Sequence, residues 1–137
     1  MVTLNYQLRS DILDAICAVG GPLDGAILHV FPVAAIFTPG TRLVRAEVLA
    51  AAATFTGSAA KTPIVWGSSY RDGNDNFYKD GGLLEWIATA APAAPETIYS
   101  IAWDDGVNIS IDPLPQPVTV EKIGDPVRYL MSMAYGQ

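Results

Sequence analysis

His29 is the only histidine and Cys17 the only cysteine of the chain, so an imidazole base or a thiolate nucleophile must come from one of these two positions. His29 lies inside the apolar run Ala26-Ile27-Leu28-His29-Val30-Phe31, with no second histidine or cysteine beside it to complete a metal-ligand set. Its neighbours favour a hydrogen-bonded or edge-facing side chain over a ligand or base. Ser-His-Asp hydrolysis would need a serine presented on a Gly-x-Ser-x-Gly elbow, which the sequence lacks. Asp104 with Asp105, or Glu85 with Glu96, have the side chains of an acid/base pair for glycoside cleavage. The turn reading of Asp104-Asp105-Gly106 is the stronger one, because Asp-Gly between two alternating runs marks a hairpin. Asp72, Asn74 and Asn76 repeat the first three oxygen-donor positions of a calcium loop, but Phe77 then stands where that loop needs glycine and Leu83 where it needs glutamate. A polar hairpin tip is therefore expected there. No catalytic residue, metal site or cofactor is assigned.

The aromatic side chains offer a different chemistry. Trp66, Tyr70 and Tyr78 are the candidates for a surface that stacks on a sugar or other flat ligand, with Trp86, Trp103 and Tyr99 nearby in sequence. Against this, Trp86 and Trp103 sit in alternating runs where one face must be buried, so a tryptophan there is expected to anchor the core.

The elements that would position these residues are mostly strands. Short stretches of alternating apolar and polar residues run from Tyr70 to Tyr135, of which Val107-Asn108-Ile109-Ser110-Ile111 is the cleanest. Turn residues interrupt them at intervals of roughly 8–12 residues, as in a sandwich or barrel. Earlier in the chain, Ser10 offers an N-cap, Asp11 and Asp14 favour the positive end of a helix dipole, and Ile12, Leu13, Ile16 and Cys17 recur at helical spacing before Gly20-Gly21-Pro22. Ala26–Phe31 reads as a buried strand ending at Pro32, and Phe37–Thr41 as a Pro-Gly turn. Residues 45–56 read as a short helix leading into a strand, and Lys61–Trp66 as another strand. Residues 68–82 are expected to be loop-like, with residues 72–76 and Asp80-Gly81-Gly82 bracketing a short Phe77-Tyr78 piece, whereas Leu83–Thr89 and Glu96–Trp103 are expected as strands. Pro113–Pro117 should be stiff and extended, and Val118–Val120 should pair with Pro126–Tyr135. The predicted fold is mainly β, an antiparallel β-sandwich with one short N-terminal helix. It divides into an extended arm, residues 1–9, and a single domain, residues 10–137.

Composition narrows the function classes. The chain has 137 residues, enough for one domain that buries about two-thirds of its unfolded surface. Hydrophobic residues make up 50% and charged residues 16%, so apolar surface is expected to remain for a partner. No apolar run approaches the roughly 20 residues that cross a bilayer, which predicts a soluble protein with no membrane partner. Net charge is −6, with ten of the fourteen acidic side chains in residues 70–137, and an acidic surface repels phosphate backbones. No nucleic-acid partner is expected. A lone cysteine excludes an intramolecular disulfide and fits folding in a reducing cytoplasm, and the N-terminus lacks the continuous apolar stretch of a signal peptide.

In order along the chain, Leu28-His29-Val30-Phe31, Thr38-Pro39-Gly40-Thr41, Ala53-Thr54-Phe55-Thr56-Gly57, Ile64-Val65-Trp66, Pro95-Glu96-Thr97-Ile98-Tyr99 and Gly124-Asp125 follow a short N-terminal helix. That outline resembles small virion structural proteins of tailed bacteriophages. It departs from theirs at Pro32-Val33 and at Gly57-Ser58. The resemblance implies a jelly-roll-like sandwich and a non-enzymatic part in the virion, most specifically a capsid decoration or cement protein assembled in the host cytoplasm. It implies the major capsid protein or other virion proteins as partners, and self-association. Val2, Leu4, Tyr6 and Leu8 of the arm are the candidate partner-binding residues. The alternative is a carbohydrate- or receptor-binding module of a tail or fibre that uses Trp66, Tyr70 and Tyr78.

Overall fold

The computed structural model describes residues 6–38, 41–74 and 76–135. In chain order the elements are α1 (Tyr6–Cys17), β1 (His29–Val33), α2 (Arg45–Ala50), β2 (Tyr70–Arg71), β3 (Phe77–Ile87), β4 (Glu96–Asp104), β5 (Ile109–Val120) and β6 (Pro126–Tyr135). The strands form two antiparallel sheets, ordered β1-β4-β5 and β2-β3-β6. The chain visits them in the order first, second, second, first, first, second, so long connections wrap around one interior. This is the expected mainly-β sandwich with a short N-terminal helix. Among the described residues no helix is long and apolar enough to cross a membrane.

Both sheets contribute to a single core. Val30, Ile98, Ile101 and Val120 of the first sheet meet Trp86, Val127, Tyr129 and Met131 of the second. Trp86 is fully buried, and its indole N–H is satisfied by the Ala59 carbonyl at 2.9 Å. The opposite face of the first sheet is also covered, since Phe31, Val33 and Ala102 pack with Val48 of α2 in a second cluster. Burial on both faces explains why Val30-Phe31-Pro32-Val33 of β1 read as a continuous apolar run instead of an alternating one.

Several local expectations are corrected. α1 begins at Tyr6, a turn earlier than the Ser10 cap predicts, so residues 6–9 are helical and not part of an extended arm. Arg9, Leu13 and Cys17, spaced one turn apart, form the buried face that justifies the longer helix. Ser10 sits inside the helix, and its hydroxyl pairs with that of Ser69 at 2.6 Å. Residues 1–5 of the arm lie outside the described residues. Pro32 does not end β1. Val30 bonds outward to Lys61 and Pro32 accepts outward from Ala53, so the missing proline N–H faces away from β4 and breaks no ladder bond. The strand expected at 61–66 is reduced to the Val30–Lys61 bridge, after which Ile64 bonds to Gly25. The strand expected after α2 is likewise one bridge, Val33–Ala52. Thr41 closes the 37–41 reversal through its N–H and hydroxyl to the Thr38 carbonyl, while Pro39 and Gly40 lie outside the described residues.

Asp80-Gly81-Gly82 is not loop-like but lies within β3, where the register shifts between Asp80 and Gly82. Only glycine suits this bulge: a Cβ on Gly81 would meet the Met131 sulfur at 2.8 Å, and Gly82 has φ +89°. The pairing of Val118–Val120 with β6 is overturned. Val118–Val120 pair with β4, and β6 pairs with β3 in the other sheet. The Glu121–Asp125 turn carries the chain between sheets, with the Asp125 carboxylate accepting from the N–H groups of Glu121 and Lys122. The Asp104–Asn108 hairpin is as expected.

Two substitutions test this core. Trp86→Ala removes the largest buried side chain and orphans the Ala59 carbonyl, and urea unfolding should show a loss of about 3–5 kcal/mol. Ser100 has a buried hydroxyl with no hydrogen-bond partner among the described residues. Ser100→Ala should therefore leave stability unchanged or raise it by about 1 kcal/mol in the same assay.

Candidate functional site

Two surfaces bring chemically capable side chains together. The first lies on the α2 side of the first sheet. His29 and Asp104 are directly opposed across β1 and β4, two residues along from the Phe31–Ala102 pair that packs under α2. A cavity of about 460 Å³ opens here, lined by His29, Phe31, Arg45, Leu49, Ser58 and Asp104 among others. A histidine, an acid and a serine thus border one space, although the sequence carries no elbow motif.

Their hydrogen bonds are nevertheless committed elsewhere. Arg45 grips Asp104 with both prongs, Nε to Oδ1 at 2.8 Å and Nη2 to Oδ2 at 2.9 Å, and the Gly106 N–H adds a third bond at 3.0 Å. These donors hold the Asp104 carboxyl below its usual range, Arg45 contributing most, while burial opposes them. Ser58 donates to the Ala53 carbonyl at 2.9 Å. Among the described residues, no hydrogen bond links His29 to either side chain. The arrangement holds a helix onto a sheet through a bidentate ion pair.

The other candidate acids are similarly engaged. Asp105 accepts from the N–H groups of Val107 and Asn108, which lowers its pKa. Glu96 binds the N–H groups of Thr54 and Phe55 and the Thr54 hydroxyl. Glu85 pairs with Arg128 on the other sheet, so Glu85 and Glu96 do not form an acid/base pair. Asp72 uses Oδ1 to accept from the N–H groups of Asn74 and Asn76 and Oδ2 to accept the Tyr78 hydroxyl, the bonding of a polar turn. Burial pushes the Cys17 thiol up to about 11, away from reactive thiolate.

The second surface is the outer face of the second sheet. Once Trp86 is fixed inward, alternation and the β3 bulge place Tyr78, Asp80, Leu83, Glu85 and Ile87 outward, opposite Ala134, Ser132, Leu130, Arg128 and Pro126. Leu83 and Leu130 face each other across the two strands and are 67% and 63% exposed. Ile87 is exposed beside the Glu85–Arg128 ion pair. At the other end the rings of Tyr70 and Tyr78 stack with centroids 5.5 Å apart. Their hydroxyls donate to Asp80 at 3.2 Å and Asp72 at 3.0 Å. Both phenol pKa values are raised, that of Tyr70 first by burial and that of Tyr78 first by its bond to Asp72.

The predicted stacking trio is therefore divided. Tyr70 and Tyr78 share the outer face, whereas Trp66 packs against the inter-sheet core, 6.0 Å from the Trp103 ring, and donates to the Leu23 carbonyl. Of the predicted partner-binding residues, Val2 and Leu4 lie outside the described residues, Tyr6 opens α1, and Leu8 is an exposed residue of that helix. The outward leucines were missed by sequence reasoning, although β6 signals them: Val127, Tyr129 and Met131 alternate with Arg128, Leu130 and Ser132. Comparison with family models, curated proteins and solved structures finds no match for this chain.

The Arg45–Asp104 pair sets an acid limit. A carboxyl held low in the folded state contributes stability above its unfolded pKa, and that contribution is lost as pH falls through the folded value. Asp104→Asn should melt below the parent at neutral pH, and the two curves should converge in acid, below about pH 4, when followed by circular dichroism.

Proposed function

We propose that this chain works by binding, not by chemistry, as a structural protein of a tailed-phage virion that decorates and cements the capsid shell. The observation that carries this reading is the outer face of the second sheet, where Leu83, Leu130 and Ile87 stand exposed on a rigid support. Exposed apolar side chains grouped on one sheet face are what a docking surface requires. The reading also draws on the order of sequence segments that resembles small virion proteins. The commitment of His29's neighbours, of Glu85 and Glu96, and of Cys17 to structural roles supports a non-enzymatic function. The partners are then the major capsid protein or other virion proteins, and the location is the virion.

A second reading has one observation in its favour. Tyr70 is 47% exposed and lies on Tyr78, so a flat ligand has one aromatic face to stack on. A glycan- or receptor-binding module would use it. Trp66, which that reading also needs, is turned into the core.

Co-sedimentation with empty shells of the parent virion distinguishes the two. The purified chain should pellet with shells, and Leu83→Asp should weaken attachment at least about tenfold with little change in melting, because the side chain is exposed. A chain that stays in the supernatant but is retained on a glycan array overturns the decoration reading in favour of the second.

A further inference from the structure

The two sheets end in four strand edges, of which β1 is bridged, β5 is interrupted by prolines and β2 is short. Along β1, Lys61 exchanges backbone bonds with Val30, and Ala51 and Ala53 bond Ala34 and Pro32. Along β5, Pro113, Pro115 and Pro117 each lack an N–H, and the strand bulges from β4 between its pairings with Ser100 and Ile98. β2 is only two residues long.

β6 differs in each respect. It runs for ten residues at the end of its sheet, and after Pro126 it contains no proline. Among the described residues no bridge, turn or loop backbone bonds to residues 127–135 from the side away from β3. The Ala88 N–H to Asp125 carbonyl bond fixes which groups face that side. Ala88 donates to the Asp125 carbonyl one step beyond the Ile87–Pro126 pairing, so by alternation Val127, Tyr129 and Met131 bond toward β3. Arg128, Leu130, Ser132 and Ala134 consequently turn their N–H and C=O groups outward.

We propose that β6 is an association edge that pairs antiparallel with β6 of a second copy, joining two three-stranded sheets into one sheet of six. A two-fold axis beside Met131 sets Arg128 opposite Ala134 and Leu130 opposite Ser132 of the second copy. Every outward donor and acceptor of those four residues then finds a partner. The two exposed Leu130 side chains become diagonal neighbours on the outer face. Charge permits the contact despite a net −6 per chain, because the strand's one charged side chain, Arg128, is already neutralised by Glu85 of its own chain.

This inference gives the self-association expected of a shell protein a specific site, and it stands or falls apart from the virion reading. Sedimentation velocity on the full chain should give twice the chain mass. Leu130→Pro removes an outward N–H without touching the β3 ladder, and Leu130→Lys places two cations across the junction. Both should sediment at the mass of one chain while keeping the near-ultraviolet circular dichroism of their core-packed tryptophans. A wild-type chain that is monomeric at every concentration, or folded variants that remain dimeric, overturns the proposal. A dimer that fails to bind shells leaves it intact and counts against the virion reading alone.

Discussion

The architecture depends on the burial of β4 on both faces. It is the central strand of the first sheet, sending Ile98 and Ile101 into the inter-sheet core and Ala102 into the cluster under α2. A strand in that position needs a covering layer on each side, which is why residues 43–52 pack back over the sheet. The same burial makes Asp104, at the strand's end, an expensive place for a charge. Arg45 at the start of α2 offsets that cost with two hydrogen bonds, so the ion pair ties the covering layer to the β4–β5 hairpin. Removing one partner would leave the other charge only partly compensated.

Two bulges maintain this packing and also hide it from the sequence. Between Ile98 and Ser100 the register slips at Tyr99, so Ile98 and Ile101 share a face although three positions apart. In β3 the slip at Gly81 puts Phe77 and Lys79 on the face of Leu84 and Trp86. Each bulge reverses the phase of alternation. A reading that assumes strict period 2 must then end one strand and begin another, as it does at Gly81-Gly82. Where no bulge intervenes, as in β6 and at the Asp104–Asn108 hairpin, strand limits were legible from residue types. Pairing partners were not. Val118–Val120 and β6 lie close in sequence with a turn between them, yet they join different sheets, a choice made by long-range packing around Trp86. α1 was legible in type but not in length, because the buried face through Arg9, Leu13 and Cys17 outweighs the local capping preference of Ser10.

The carboxylates show how turns engage acids that sequence alone offers for chemistry. Asp24, Asp72, Asp105 and Asp125 all accept backbone N–H bonds at turns, and these bonds lower their pKa values. Sequence alone does not distinguish an acid that closes a turn from one that awaits a substrate, since both favour Asp near Gly and Asn. Once folded, the closed turns hold the ends of the strands in fixed positions. A body stiffened at its turns presents its exposed side chains with little conformational entropy left to lose on contact, which favours binding by a preformed surface.

The exposed face and the β6 edge are physically distinct, and the proposed pairing of two copies would make them cooperative. The face offers apolar side chains and gains by excluding water; the edge offers backbone donors and acceptors and gains by directional bonds. A two-fold axis perpendicular to the sheet leaves the outer faces of both copies on the same side. Leu83, Ile87 and the Tyr70–Tyr78 stack of each copy then belong to one broad surface instead of two separate patches. Under the proposed role, in which the chain spans neighbouring subunits of a shell, such doubling would convert two weak contacts into a bivalent one, because the second contact would form at the high effective concentration set by the first.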